Sequence, residues 1–363
     1  MKTLVKNTVI FGLSILATTV FISCNSNEIE KQPETQISAQ NTIPVAQKVK
    51  AITYQKPVVF IAGFDKGNET FYNNARTYFK EKNLKVIDGK YSLEEIILWL
   101  NTNGKSSLFS EIHIVNKSNP FKGMNLETVI HGDKITAETL RRTITQGTLP
   151  KLQNVVNTNS KIIFHASGLV ENLELLKTIK DAFHAKENPK VIASPYHTVF
   201  GGAFSNHYLA QPYYVFYPTA NSPGITDLSK EIAKKYPEET EIEWFNALNN
   251  EEERYVGEAY TTQFTVPILW EFDFHNTDNE MPKFKIAEEV MDWIEQDEQL
   301  MAELKTYNIP LEKFRWNWKV KGSKLTIKGR TTGLCVLKPL IKPYGDLKHI
   351  KPDTNNKRLY AMK

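Results

Sequence analysis

Cysteine is nearly absent from this chain: 363 residues carry two, Cys24 and Cys335, which excludes a disulfide framework and a cysteine-based zinc site. Metal motifs are missing too. There is no HExxH, no histidine cluster at ligand spacing and no EF-hand loop, so no metal is expected. Nor is there a phosphate-binding glycine pattern. Gly63, Asp65, Lys66 and Gly67 follow an apolar run without the GxGxxG or GxxxxGK[ST] spacing and read as a plain β-to-α turn, so no cofactor is expected. Charge of one sign is scarce: the formal net charge of +4 falls to +2 once residues 1–23, with Lys2 and Lys6 and no acid, are set aside. That balance does not point to a nucleic acid partner.

The one long apolar run, residues 9–22, follows Lys2 and Lys6 and stops at Ser23-Cys24. It is shorter than the roughly 20 residues of a spanning helix and has the pattern of a secretory signal. Ser23-Cys24 resembles the lipobox of bacterial lipoproteins, with Phe21 where an aliphatic residue is more usual. The resemblance implies a signal peptide over 1–23, lipidation of Cys24, and a lipid anchor in a bacterial membrane, expected to be the outer one. The rest of the chain is then extracytoplasmic, and Cys335 has no partner. Residues 24–56 hold Asn, Ser, Gln, Glu and Lys with no apolar period, and read as a tether.

From Pro57 the pattern changes to apolar runs alternating with amphipathic stretches. Strands are expected at 57–63, 84–87, 111–115, 161–165 and 190–193, and helices at 68–80, 93–100, 136–145 (Thr136 as N-cap) and after Gly168, carrying Leu173, Leu175 and Leu176. Strand and helix in alternation imply parallel pairing through crossovers. The expected fold is therefore α/β, a three-layer sandwich with a mainly parallel sheet over 57–220. A C-terminal α+β extension comes next: helices and a strand over 221–312, a module of short β-strands over 313–341 and a basic tail over 342–363. Residues 265–275 alternate, with Val266, Ile268, Trp270, Phe272 and Phe274 on one face, and 283–307 read as one long helix.

Two turns resemble a known family. Strand EIHIV is followed by NKSNPFKGMNL and strand KIIFH by ASGLVENLELL. The caspase-like peptidases, with their gingipain and clostripain relatives, place a catalytic His-Gly after one strand and a catalytic Cys after the next. Asn119, Pro120, Gly123, Met124 and Leu126 look like the residues that come after the His-Gly in bacterial members, whereas Lys117-Ser118 stands in its place and Ser167 in that of the cysteine. The resemblance, over about 57–193, implies a caspase-like fold whose catalytic dyad has been replaced. A serine hydroxyl has a far higher pKa than a thiol and needs a strong base and an oxyanion hole, so cysteine-type catalysis is excluded here.

Three functions are then open. The first is a pseudopeptidase that binds a peptide or glycan. The second is a serine hydrolase with Ser167 as nucleophile and Lys117 or a histidine as base, His131 on its loop being the best spare imidazole. The third is a glycan-binding lipoprotein in which Tyr208, Tyr213, Tyr214, Phe216 and Tyr217 line a stacking groove. His165 and His113 read as structural.

Overall fold

The computed structural model describes residues 3–4, 52–64, 69–202, 205–275, 280–340 and 352–362. The signal segment (Thr3–Leu4 apart), Cys24, the tether up to 51, Asp65, Lys66 and Gly67, and residues 341–351 lie outside them.

Apolar runs too short for a helix build the first sheet. β1 (Val58–Ala62), β2 (Lys85–Lys90), β3 (Glu111–Val115), β4 (Lys161–His165) and β5 (Lys190–Ala193) pair in parallel in the order β2-β1-β3-β4-β5. All five residues of β1 are buried, as parallel strands covered on both faces require. On one face lie α2 (Leu93–Asn103), α3 (Ala137–Thr145) and α4 (Leu173–Ala182), whose Ile96, Leu140 and Leu176 pack against Phe60, Ile114 and Phe164. On the other lies α1 (Thr70–Glu81), with Tyr72, Ala75 and Phe79 against Val59 and Ile61. Thr136 caps α3, accepting the Thr139 N–H at 3.1 Å. Leu173, expected inward, is 64% exposed; only Leu175 and Leu176 of that trio are buried.

The second sheet is antiparallel. A hairpin of β6 (His197–Phe200) and β7 (His207–Pro218) is followed by α5 (Ile225–Lys235), α6 (Trp244–Asn249) and the 14-residue β8 (Tyr260–Asp273). After α7 (Ala287–Glu295) and α8 (Glu298–Tyr307) come β9 (Arg315–Lys321) and the 16-residue β10 (Lys324–Pro339). β10 pairs with β8 along one side and with β9 and then β7 along the other. α5 and α6 pack on one face through Tyr213, Val215, Leu334 and Val336, and α7 and α8 on the opposite one through Trp270, Trp316 and Ile327. Thr3–Leu4 pair with Phe272–Asp273 at the far edge.

Three expectations change. The helix expected over 283–307 is two, because Asp297 caps α8 by accepting the Gln299 and Leu300 N–H groups at 3.0 and 3.2 Å. The short strands expected over 313–341 are one short strand and one long one, and the long one is central to a sheet shared with β7 and β8. The end of the tail is docked: β11 (Ala361–Met362) adds antiparallel to β5, Leu359 and Tyr360 are buried, and the Ser194 hydroxyl donates to the Leu359 carbonyl at 2.8 Å.

Candidate functional site

β3 and β4 are neighbours in the first sheet, so the turns after them open at the same rim. The turn after β3 is a tight hairpin from Ser118 to Met124. The Asn119 carboxamide oxygen accepts the N–H groups of Phe121 and Lys122 at 3.0 and 2.8 Å and fixes its tip. Gly123 adopts φ +74°, and a Cβ there would stand 2.1 Å from the Ile135 carbonyl oxygen. The turn after β4 presses against this hairpin. Gly168, at φ +68°, leaves no room for a Cβ beside Pro120, and the Ser118 hydroxyl donates to the Ser167 carbonyl at 2.8 Å.

Facing both turns is the second sheet. Phe121 inserts into a box of Tyr214, Phe216 and Phe264, with ring centroids 5.1, 5.3 and 5.5 Å away. Between the sheets lies a cleft of about 630 Å³ whose walls include Lys117, Ser118 and Ser167 from one side and Thr198, Thr262 and Gln263 from the other.

The sequence-picked residues divide here. Ser167 and Lys117 share the cleft; His131 does not line it. His131 is exposed in a left-handed turn (φ 61°), its N–H held by the Glu127 carboxylate at 3.1 Å. The Ser167 hydroxyl accepts the Thr198 N–H at 3.3 Å, tying the β4 turn to the second sheet's edge strand. The Lys117 amine, 60% exposed, sits 3.3 Å from the Glu69 carboxylate. Such an amine is solvated and paired rather than enclosed as a lysine base must be. The α4 N-terminus is equally committed, because the Asn172 side chain accepts the Leu175 N–H at 2.9 Å.

No family model, curated protein or solved structure matches this chain. The site is therefore read from its own chemistry.

Its charge is one-sided. Lys117, Lys122 and Lys134 line the cleft and, among the described residues, no Asp or Glu does. Partial enclosure, then the nearby Arg330 and Lys134 cations, lower the Lys122 amine from its ordinary value. A polar network runs from the cleft wall, at His197 and Cys335, to the surface at Glu171. His197, held at about 4 by burial, has its Nε2 3.1 Å from the Tyr214 hydroxyl. Glu171 is raised to about 7 by enclosure, opposed by its bond with Tyr214, although over a third of the residue is open to solvent. Burial foremost pushes the Cys335 thiol up, so it is a poor nucleophile. The thiol lies inside β10 as a small buried side chain.

The histidines of the first sheet form a second buried group. His113 Nδ1 and His165 Nε2 are 3.0 Å apart on adjacent strands, and His207 from β7 packs edge-on against His165 with ring centroids 5.5 Å apart. Among the described residues no group of His, Cys, Asp and Glu is placed to hold a metal ion.

Most of the aromatic side chains expected to line a groove are core. Tyr208, Tyr213, Tyr214 and Phe216 are buried: Tyr213 packs on Tyr236 and Trp244 under the helices, and the Tyr208 hydroxyl meets that of Tyr260 at 2.9 Å. Thr198, Thr262 and Gln263 carried no signal in the sequence. They reach the cleft through pairing between distant segments, and nothing local marks them.

Proposed function

We propose that this is a lipid-anchored extracytoplasmic protein whose α/β half has a caspase-like fold with the catalytic pair replaced, and that it works by binding a peptide in the cleft between its two sheets. One observation carries the reading. The two turns that would deliver imidazole and thiol meet in one cleft, where the hydroxyl at the nucleophile position is already bonded to the Thr198 N–H, and the candidate bases on the cleft wall are Lys117, solvated and ion-paired, and His197, buried with its Nε2 on the Tyr214 hydroxyl. Peptide is favoured over glycan because, of the aromatic residues on the cleft wall, Phe200 and Tyr260 are buried and Phe71 and Phe264 already pack on the rings of Phe200 and Phe121, while amide and hydroxyl groups of Ser118, Thr262 and Gln263 line the cleft.

The test is a peptide array probed with the purified chain, with a glycan array run beside it. Saturable peptide retention that survives Ser167→Ala and is lost on Thr262→Trp, which fills the cleft, is the expected result. Retention confined to glycans, or peptide retention indifferent to Thr262→Trp, would overturn the assignment.

A further inference from the structure

The outward face of the β8–β10–β9 end of the second sheet is strongly basic. Arg315, Lys319 and Lys321 of β9 and Lys324, Lys328 and Arg330 of β10 are all exposed. The register puts Arg315 opposite Arg330 and Lys321 opposite Lys324, all on the face away from Trp316, Leu325 and Ile327. Like charges directly opposed across strands destabilise a sheet, so the fold itself has no use for these pairs. None of the six forms an ion pair with another described residue. Two carboxylates share the face, Glu271 and Asp273 on β8, and Lys324 acts on Asp273 through space.

Protection of a sheet edge accounts for lysines on β9, where they deter pairing with another chain. It does not account for Lys324, Lys328 and Arg330, because β10 lies between β9 and β8 at that height and has no open edge. The face runs about 20 Å along β9 by the ordinary strand rise. Leu269, opposite Lys328, stands 59% exposed among the cations. A sheet face with six cations against two carboxylates and an apolar side chain among them complements a surface of anionic headgroups better than it does a single chain, which would find more contact in a groove.

We infer that this face rests on an anionic lipid surface, a second membrane contact beside the anchor at Cys24. A basic face adds electrostatic attraction to the apolar hold of the anchor, and the contact would also orient the cleft. The inference goes beyond the peptide-binding reading and depends on the anchor only for nearness to a bilayer, so either can fail without the other.

The test uses the full chain carrying Cys24→Ser, which removes the acylation site and keeps every other segment. Co-sedimentation with phosphatidylglycerol vesicles is compared with that on phosphatidylcholine vesicles, so that any contribution of the apolar 9–22 run is common to both arms. The phosphatidylglycerol arm is expected to bind at least about 100-fold more strongly and to lose that advantage at high salt. Lys328→Glu with Arg330→Glu should weaken it by about fivefold per cation or more, hence about 25-fold for the pair. The paired variant should fold, since a glutamate opposite Arg315 replaces a repulsive pair with an attractive one, and an unchanged or higher urea midpoint verifies this. Equal binding to the two lipids, a preference untouched by the double substitution, or retention of polygalacturonate in place of vesicles would each overturn the proposal.

Discussion

Acid should weaken this fold well above the pH at which its carboxylates protonate. Burial holds His197 at about 4 and His207 at about 3, from an ordinary 6.5, and Lys82 and His113 add to the effect at His207. His165 is pushed well below its ordinary value by burial, then by His113, His207 and Lys82. In the unfolded chain each imidazole takes a proton as the pH falls through about 6.5, whereas in the folded chain it stays neutral until near its lowered value. Between those limits the unfolded state holds more protons, so stability falls with falling pH by about 1.4 kcal/mol per unit for each histidine. From neutrality to about pH 5 that is about 2 kcal/mol each for His197 and His207, or about 4 kcal/mol for the two, and His165 adds to the loss in the same direction.

Glu171 works the other way. Its folded value of about 7 lies above the unfolded one, so it adds stability as the pH falls through 7, but its exposure keeps that gain below one histidine's share. Glu111 and Glu239 are lowered, Glu111 chiefly by its bond with His113 and Glu239 by its bonds with Tyr213 and Lys338 outweighing desolvation; their contributions are lost only below the ordinary carboxylate range. The net loss is about 2 kcal/mol or more, a substantial share of the 5–15 kcal/mol typical of a folded protein. Urea midpoints at about pH 7 and about pH 5 measure it. His207→Phe keeps the ring stacked on Phe200, 4.4 Å between centroids, and should remove about 2 kcal/mol of the histidine-driven loss. Equal midpoints at the two pH values, or an undiminished loss in H207F, would refute the reasoning.

Ser167→Ala should cost about 1 kcal/mol in urea unfolding by leaving the Thr198 N–H without its acceptor, and no more. Gly123→Ala should cost at least about 2 kcal/mol, because the new Cβ meets a backbone oxygen at 2.1 Å at a left-handed residue; a midpoint within error of the parent would contradict this. Phe121→Ala, which empties the aromatic box, should cost about 2–3 kcal/mol, below the range for a fully buried ring because Phe121 is half-buried, and should raise amide exchange in the hairpin first. Removing residues 359–363 uncovers the β5 edge and the sites of Leu359 and Tyr360, and should lower stability by about 3 kcal/mol.

The first sheet was legible because its strands are continuous apolar runs punctuated by helices, as in residues 58–62 and 111–115. Those runs also put Ser167 and Lys117 at one rim. The second sheet was not, and glycine explains much of this. Gly329 and Gly333 interrupt the β10 pattern and read as breaks between short strands. In the fold they are places of close approach: a Cβ on Gly329 would meet the Trp316 ring at 2.5 Å, and one on Gly333 the Phe264 ring at 2.6 Å. Docking of 359–362 depends on an edge of β5 made more than a hundred residues earlier, and no local pattern announces it. The cleft's far wall was hidden for the same reason, since Thr198 and Thr262 become neighbours of Ser167 only through pairing of distant segments.

Everything said of function turns on Ser167 being a structural acceptor rather than a nucleophile. The most direct measurement is the intact mass of the chain after exposure to a fluorophosphonate probe, with Ser167→Ala run beside it. The account predicts no adduct on either protein at neutral pH. A stoichiometric adduct on the parent chain, mapped to Ser167 and absent from the alanine variant, would contradict it.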